Sequence, residues 1–218
     1  MTRLGIDEAG RGPVIGPMVI AGVVLDESGE KELEDAGVKD SKMLSSSKRE
    51  NLIESIKEKA ISHKIMILSP KEIDEALLSP TSNLNKFEML NMAMISNSLD
   101  SDTIILDSPS NNTEVFLSEF KVYLKDKSRQ VIAEHKADTK YVSVAAASIL
   151  AKVTRDWEIE KIKLKYKVEF GSGYPSDPKT KEFLENNFDK FDIFRKSWSS
   201  WRRLAKRHDN SQSRLDSW

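Results

Sequence analysis

Strand-length apolar runs and helix-length periodic runs take turns along this chain as far as Tyr166. Leu4–Glu8, Met18–Leu25, His63–Leu68, Thr103–Asp107 and Arg129–His135 read as strands. Thr103–Asp107 is short and almost continuously apolar, as a strand covered on both faces would be. Helical spacing marks about 47–61, Lys71–Leu78, Leu84–Leu99, Glu114–Leu124 and Val142–Tyr166. The first opens on a Ser47-x-x-Glu50 capping box, and the last carries Ala146, Ile149, Leu150, Val153 and Trp157 on one stripe. Pro175 and Pro178 interrupt the pattern, and helices resume at Lys179–Asn187 and Ser199–Lys206. The expectation is an α/β sheet flanked by helices, with a helical C-terminal third.

At 218 residues the chain fits one domain with a small extension. No apolar run reaches membrane-span length, and Met1-Thr2-Arg3 leads straight into the first strand, which predicts a cytoplasmic protein without a membrane partner; a monomer is the separate expectation for its assembly. With no cysteine and three scattered histidines, thiolate zinc, disulfides and HExxH chemistry are excluded. A catalytic metal must then rest on oxygen ligands, which points to Mg²⁺ or Mn²⁺.

Carboxylates stand where strands end. Asp7 and Glu8 close the first strand against Ala9-Gly10-Arg11-Gly12, whose glycines let backbone N–H groups approach an anion. Neighbouring strand residues face opposite ways, so the pair flanks the strand end. Read alone, the hexapeptide is equally a surface turn. Asp107 ends the Thr103–Asp107 strand, and Asp138 follows Arg129–His135. Each alone reads as readily as a turn residue or a helix cap. Ligands of open α/β sheets gather at the carboxyl ends of strands. If these strands are neighbours, four carboxylates converge, and divalent cations relieve their repulsion. Two ions about 4 Å apart can serve both oxygens of a phosphodiester displacement.

The net charge of −1 is silent about a polyanion, but Arg195–Arg207 holds six basic residues and no acidic one. Such a patch can meet a phosphate backbone, although Trp198, Trp201 and Leu204 recur at helical spacing and read as core. The glycine spacing is not G-x-G-x-x-G. P-loop and Gly-x-Ser-x-Gly patterns are absent, which argues against nucleotide-cofactor, P-loop and serine-hydrolase chemistry.

Taken in order, the Asp7–Gly12 hexapeptide, Asp40-Ser41-Lys42-x-Leu44-Ser45, Asp107, Lys136-Ala137-Asp138, Ala145–Asp156 and Gly171–Pro178 resemble type 2 ribonuclease H (ribonuclease HII). The likeness spans residue 7 to about 201. Gly171–Pro178 and Arg195-Lys196-Ser197-Trp198 look like its archaeal and eukaryotic branch, and the compact chain looks archaeal. Asp102 is a weaker rival to Asp107 because it begins the strand. The resemblance implies the ribonuclease H-like fold, a central mixed sheet flanked by helices, over residues 1–165, with a helical extension over 166–208. It implies hydrolysis of the RNA strand of RNA–DNA hybrids and cutting 5′ to a ribonucleotide embedded in duplex DNA. The cut would leave 3′-hydroxyl and 5′-phosphate ends. Asp7, Glu8, Asp107 and Asp138 take the positions of the metal-binding acids, for two ions. Gly10, Arg11 and Gly12 match the reader of the 2′-hydroxyl, Tyr174 a tyrosine stacked on the neighbouring deoxyribose, and Lys42 a phosphate contact. A resolvase or transposase core would need the acids but no such reader, and a non-catalytic binding module would tolerate their loss.

The last residues carry a separate pattern. Gln212, Leu215 and Trp218, each three apart, resemble the short motif that docks replication proteins on the sliding clamp, proliferating cell nuclear antigen. Residues 209–218 read as a flexible tail, with Asp209-Asn210-Ser211 as the tether. The chain ends after one aromatic where two adjacent ones are usual.

Overall fold

The computed structural model describes residues 1–39 and 46–215, excepting the side chains of 46–48 and 209–215. Its five strands are β1 (Arg3–Ala9), β2 (Met18–Leu25), β3 (Ser62–Leu68), β4 (Thr103–Asp107) and β5 (Gln130–Glu134). They form one sheet in the order β3-β2-β1-β4-β5. β1 runs antiparallel to β2, with Asp7 opposite Ala21. It runs parallel to β4, with Ile6 beside Leu106, and β4 runs parallel to β5, with Asp107 beside Glu134. The sheet is therefore mixed, and β1, β4 and β5 end at the same edge.

Eight helices stand among the described residues: α1 (Glu27–Asp35), α2 (Ser46–Lys59), α3 (Pro70–Leu78), α4 (Leu84–Ser96), α5 (Thr113–Tyr123), α6 (Val142–Tyr166), α7 (Pro178–Asn187) and α8 (Ser199–Leu215). Helix α1 is absent from the sequence reading. Asp26 caps it by accepting from Gly29 N at 2.8 Å, but Leu33 is its one large buried apolar residue. A single apolar anchor leaves no period to detect. Pro70 stops β3 and also starts α3, where a missing N–H costs nothing; Ser69 and Glu72 close a capping box there. The capping box read at Ser47 lies outside the described side chains.

Two compact units divide the described chain. The first comprises Met1–Ala9, Val19–Ile67 and Leu84–Asp156, and the second Gly10–Met18, Leu68–Asn83 and Trp157–Trp218. In the first, alternate β2 residues Val19, Ala21, Val23 and Leu25 pack with Leu33, Ile53, Ile56 and the Ala145–Val153 stripe of α6. On the other face, a Cβ added to Gly22 would meet Ile95 Cγ2 of α4 at 2.5 Å. Helices thus cover both faces of β2, which explains why it is buried at every position. Helix α6 lies directly on β1: a Cβ at Gly5 would come within 2.1 Å of the Ser143 carbonyl carbon. The buried cluster ends at Val153, so Trp157 has outrun it and stays 41% exposed.

The second unit is built on aromatics. Phe170, Phe194, Ile193 and Leu184 are buried with Val14, Ile15 and Ile159. Trp198, Trp201 and Leu204 pack against them, as their helical spacing predicts. Ile15 bridges to Phe194, which brings the stretch after the glycine turn beside the segment before α8. Helix α8 continues past Lys206 to Leu215, so the backbone of Asp209-Asn210-Ser211, read as a tether, is helical. No helix among the described residues is long and apolar enough to cross a membrane.

Candidate active site

Three parallel neighbours deliver the acids. Asp7 lies near the end of β1, Asp107 is the last residue of β4, and Asp138 sits in a short 3₁₀ turn, Ala137–Thr139, after β5. The condition left open by the sequence, that these strands adjoin, is met by the order β1-β4-β5. Side chains alternate along a strand and match across a parallel register, so Asp7 and Asp107 project from the same sheet face, and Glu8 from the other.

That face is covered by α6, which makes the site dry on one side. Asp7 is 6% exposed and Asp138 7%, whereas Glu8 and Asp107 are half-buried. Burial pushes the Asp7 carboxyl well above the usual carboxylate range, and the charges of Glu8 and then Asp107 push it further. A hydrogen bond from Ser148 on α6 opposes this, as does the Glu8 N–H, which donates to Asp7 Oδ1 at 2.7 Å. The net direction is upward because desolvation and like charge outweigh two donors. A buried carboxyl held against two other carboxylates is the electrostatic condition that a divalent cation relieves, and the donor set is all oxygen, which suits Mg²⁺ or Mn²⁺. Among the described residues, no three His, Asp or Glu side chains form a preassembled cage. The residues fit an ion through their chemistry and charge.

In the second unit the glycine turn is clasped. Gly10 has φ +82°, which only glycine adopts at little cost. Arg195, fully buried, donates through Nη2 to Gly10 O at 2.6 Å, Nη1 to Arg11 O at 3.0 Å and Nε to Gly16 O at 2.9 Å. Trp198 Nε1 donates to Gly12 O at 3.0 Å. Tyr174 is 40% exposed, and a Cβ added to Gly12 would lie 3.4 Å from its ring. The backbone before Tyr174 is fixed by Asp177, which accepts from Ser172 N at 2.7 Å and caps α7 through Lys179 N. These bonds lower the Asp177 pKa. Gly173 O accepts from Val14 N at 2.9 Å, which ties the Tyr174 loop to the stretch after Gly12. Lys42 and Trp218 lie outside the described residues.

Sequence reasoning missed the role of Arg195. It was read with its neighbours as part of a basic patch, yet it is among the largest fully buried side chains. Its acceptors lie 179 to 185 positions away. The one local signal was a basic residue directly after the apolar pair Ile193-Phe194.

A mixed sheet of this order, with acids at the shared end of its parallel strands, defines the ribonuclease H-like class. A family model described as Ribonuclease HII matches residues 4–201. The ribonuclease HII of Pyrococcus horikoshii is 46% identical over 222 residues, covering 99% of this chain and 98% of that protein. A crystal structure of the ribonuclease H2 from P. horikoshii OT3 superposes with a TM-score of 0.88 at 46% identity, covering 95% of this chain and 98% of that one. A second structure, of the PCNA:RNase HII complex from Archaeoglobus fulgidus, gives a TM-score of 0.83 at 40% identity, covering 91% and 96%. The chain belongs to the ribonuclease HII family, metal-dependent endoribonucleases that act on RNA–DNA hybrids.

Proposed function

We propose that this protein cuts hybrids and also DNA duplexes that contain single ribonucleotides, on the 5′ side of the ribonucleotide, leaving 3′-hydroxyl and 5′-phosphate ends. The observation that carries the reading is the adjacency of β1, β4 and β5, whose shared edge bears Asp7, Asp107 and, one turn later, Asp138. Asp7, Glu8, Asp107 and Asp138 would hold two Mg²⁺ or Mn²⁺ ions. When bound, such a pair supplies positive charge at the attacking and leaving oxygens of an in-line displacement. Around it, α6 keeps water from one side of Asp7, and Ser148 orients that carboxylate.

The turn that follows the first acids in the chain, Gly10-Arg11-Gly12, would recognise the 2′-hydroxyl through its backbone, the group that separates RNA from DNA. Tyr174 would stack on the adjacent deoxyribose, and Lys42 would meet a phosphate. The protein acts as a monomer in this reading. Its C-terminal Gln212, Leu215 and Trp218 would dock on a sliding clamp, a reading supported by the A. fulgidus relative's complex. The test is a DNA duplex with one ribonucleotide, incubated with Mg²⁺ or Mn²⁺ and read at nucleotide resolution. A single cut 5′ to the ribonucleotide with a 3′-hydroxyl end is expected. Cleavage on its 3′ side, or of all-DNA duplex, would refute the proposal.

A further inference from the structure

We infer that Arg195, with Trp198, is a positioning device that aims the Gly10-Arg11-Gly12 backbone and thereby sets the preference for a 2′-hydroxyl; the inference rests on the role proposed for that turn. The guanidinium is a rigid planar fork of five donors. Here it spans the turn, taking Gly10 O, Arg11 O and Gly16 O at 2.6, 3.0 and 2.9 Å. The next carbonyl, Gly12 O, is taken by Trp198 Nε1 at 3.0 Å, and the Trp198 ring lies 4.8 Å from the guanidinium carbon. Three consecutive carbonyls are therefore gripped by one pair of residues.

A peptide unit is planar and trans, so each C=O and the N–H of the following residue point opposite ways. Fixing Gly10 O and Arg11 O on Arg195 turns the N–H groups of Arg11 and Gly12 away from it. The series stops there, because the next residue is Pro13, which has no N–H. Two consecutive N–H groups presented by a glycine in the left-handed region form a small concavity for an electronegative oxygen. The Tyr174 ring stands against Gly12 at its border. A ribose offers the 2′ oxygen to such donors, and a deoxyribose offers nothing. An unclasped turn of two glycines would present the same N–H groups in many directions and lose most of the difference.

The experiment measures equilibrium binding of two duplexes of one sequence, differing by a single ribonucleotide. Ca²⁺ replaces Mg²⁺, and intact strands are verified on a gel. One net hydrogen bond predicts that the wild-type protein prefers the ribonucleotide duplex on the order of tenfold. Arg195→Lys, which keeps charge but loses the fork, and Trp198→Phe, which keeps the ring but loses the Gly12 donor, should bring that preference within about twofold while all-DNA affinity stays unchanged. A merely structural role would lower thermal stability and weaken both duplexes alike. Folded variants that retain the wild-type preference overturn the inference alone. A wild-type protein that binds both duplexes equally overturns the 2′-hydroxyl reading and the inference with it. Trp198→Phe leaves the buried cation in place, so it decides the matter even if Arg195→Lys does not fold.

Discussion

Asp7 shows how one side chain carries opposite demands. Its carboxyl is pushed up by burial and by Glu8 and Asp107, so the metal-free protein binds its proton more tightly than the unfolded chain does. By linkage, the Asp7 contribution then falls as pH rises from the ordinary carboxylate range through the raised value. Asp7→Asn removes the charge, and in chelator at neutral pH its melting temperature should equal or exceed that of the wild type, with a flatter pH dependence. The same substitution, and Asp138→Asn, should lower turnover with Mg²⁺ by orders of magnitude, since an amide cannot supply the charge a cation needs. Near wild-type cleavage by either folded variant would refute the metal site. Tyr174→Ala tests the sugar contact. Stacking of this kind is worth about 1–3 kcal/mol, so cleavage at an isolated ribonucleotide should fall on the order of tenfold or more, with binding to plain duplex spared. Equal losses in a side-by-side titration of both substrates would make Tyr174 structural.

At the scale of elements, the contact of α6 with β1 fixes the acid face. Gly5 is the position where strand and helix backbones meet without a side chain between them. Gly5→Ala should cost at least the upper end of the roughly 1–3 kcal/mol typical of overpacking, because the obstruction is helix backbone. Gly37 is a useful contrast: its φ is +83° and nothing lies within 4 Å of an added Cβ. Gly37→Ala should cost only the left-handed penalty of about 1–2 kcal/mol. Urea midpoints of the two variants compare them directly; equal losses would remove the special role of the α6–β1 approach. Strands and long helices were legible in the sequence because each carries either a continuous apolar run or a periodic apolar face. Helix α1 was not, since a cap and one leucine leave too little pattern.

For the whole molecule, the proposed clamp tether separates from catalysis. Deleting Gln212–Trp218 should abolish binding to a sliding clamp in a sizing or calorimetric assay and leave cleavage of short duplexes unchanged. Equal clamp affinity with and without the segment would end that reading. What the sequence determined by itself was everything written locally: apolar strands that end in carboxylates, the glycines of a tight turn, the aromatic spacing before and within α8, and a donor set without sulfur. Tertiary structure alone decided two things. It put β1, β4 and β5 side by side, a choice of pairing that no strand carries in its own residues. It buried Arg195 on Gly10, Arg11 and Gly16, turning one cation of a basic stretch into the clasp of a distant turn. Separately, α8 continues through residues that read as a tether. The reason behind the two tertiary choices is the same. Local patterns report what a segment can bury, whereas partners far along the chain become neighbours only when the fold brings them together.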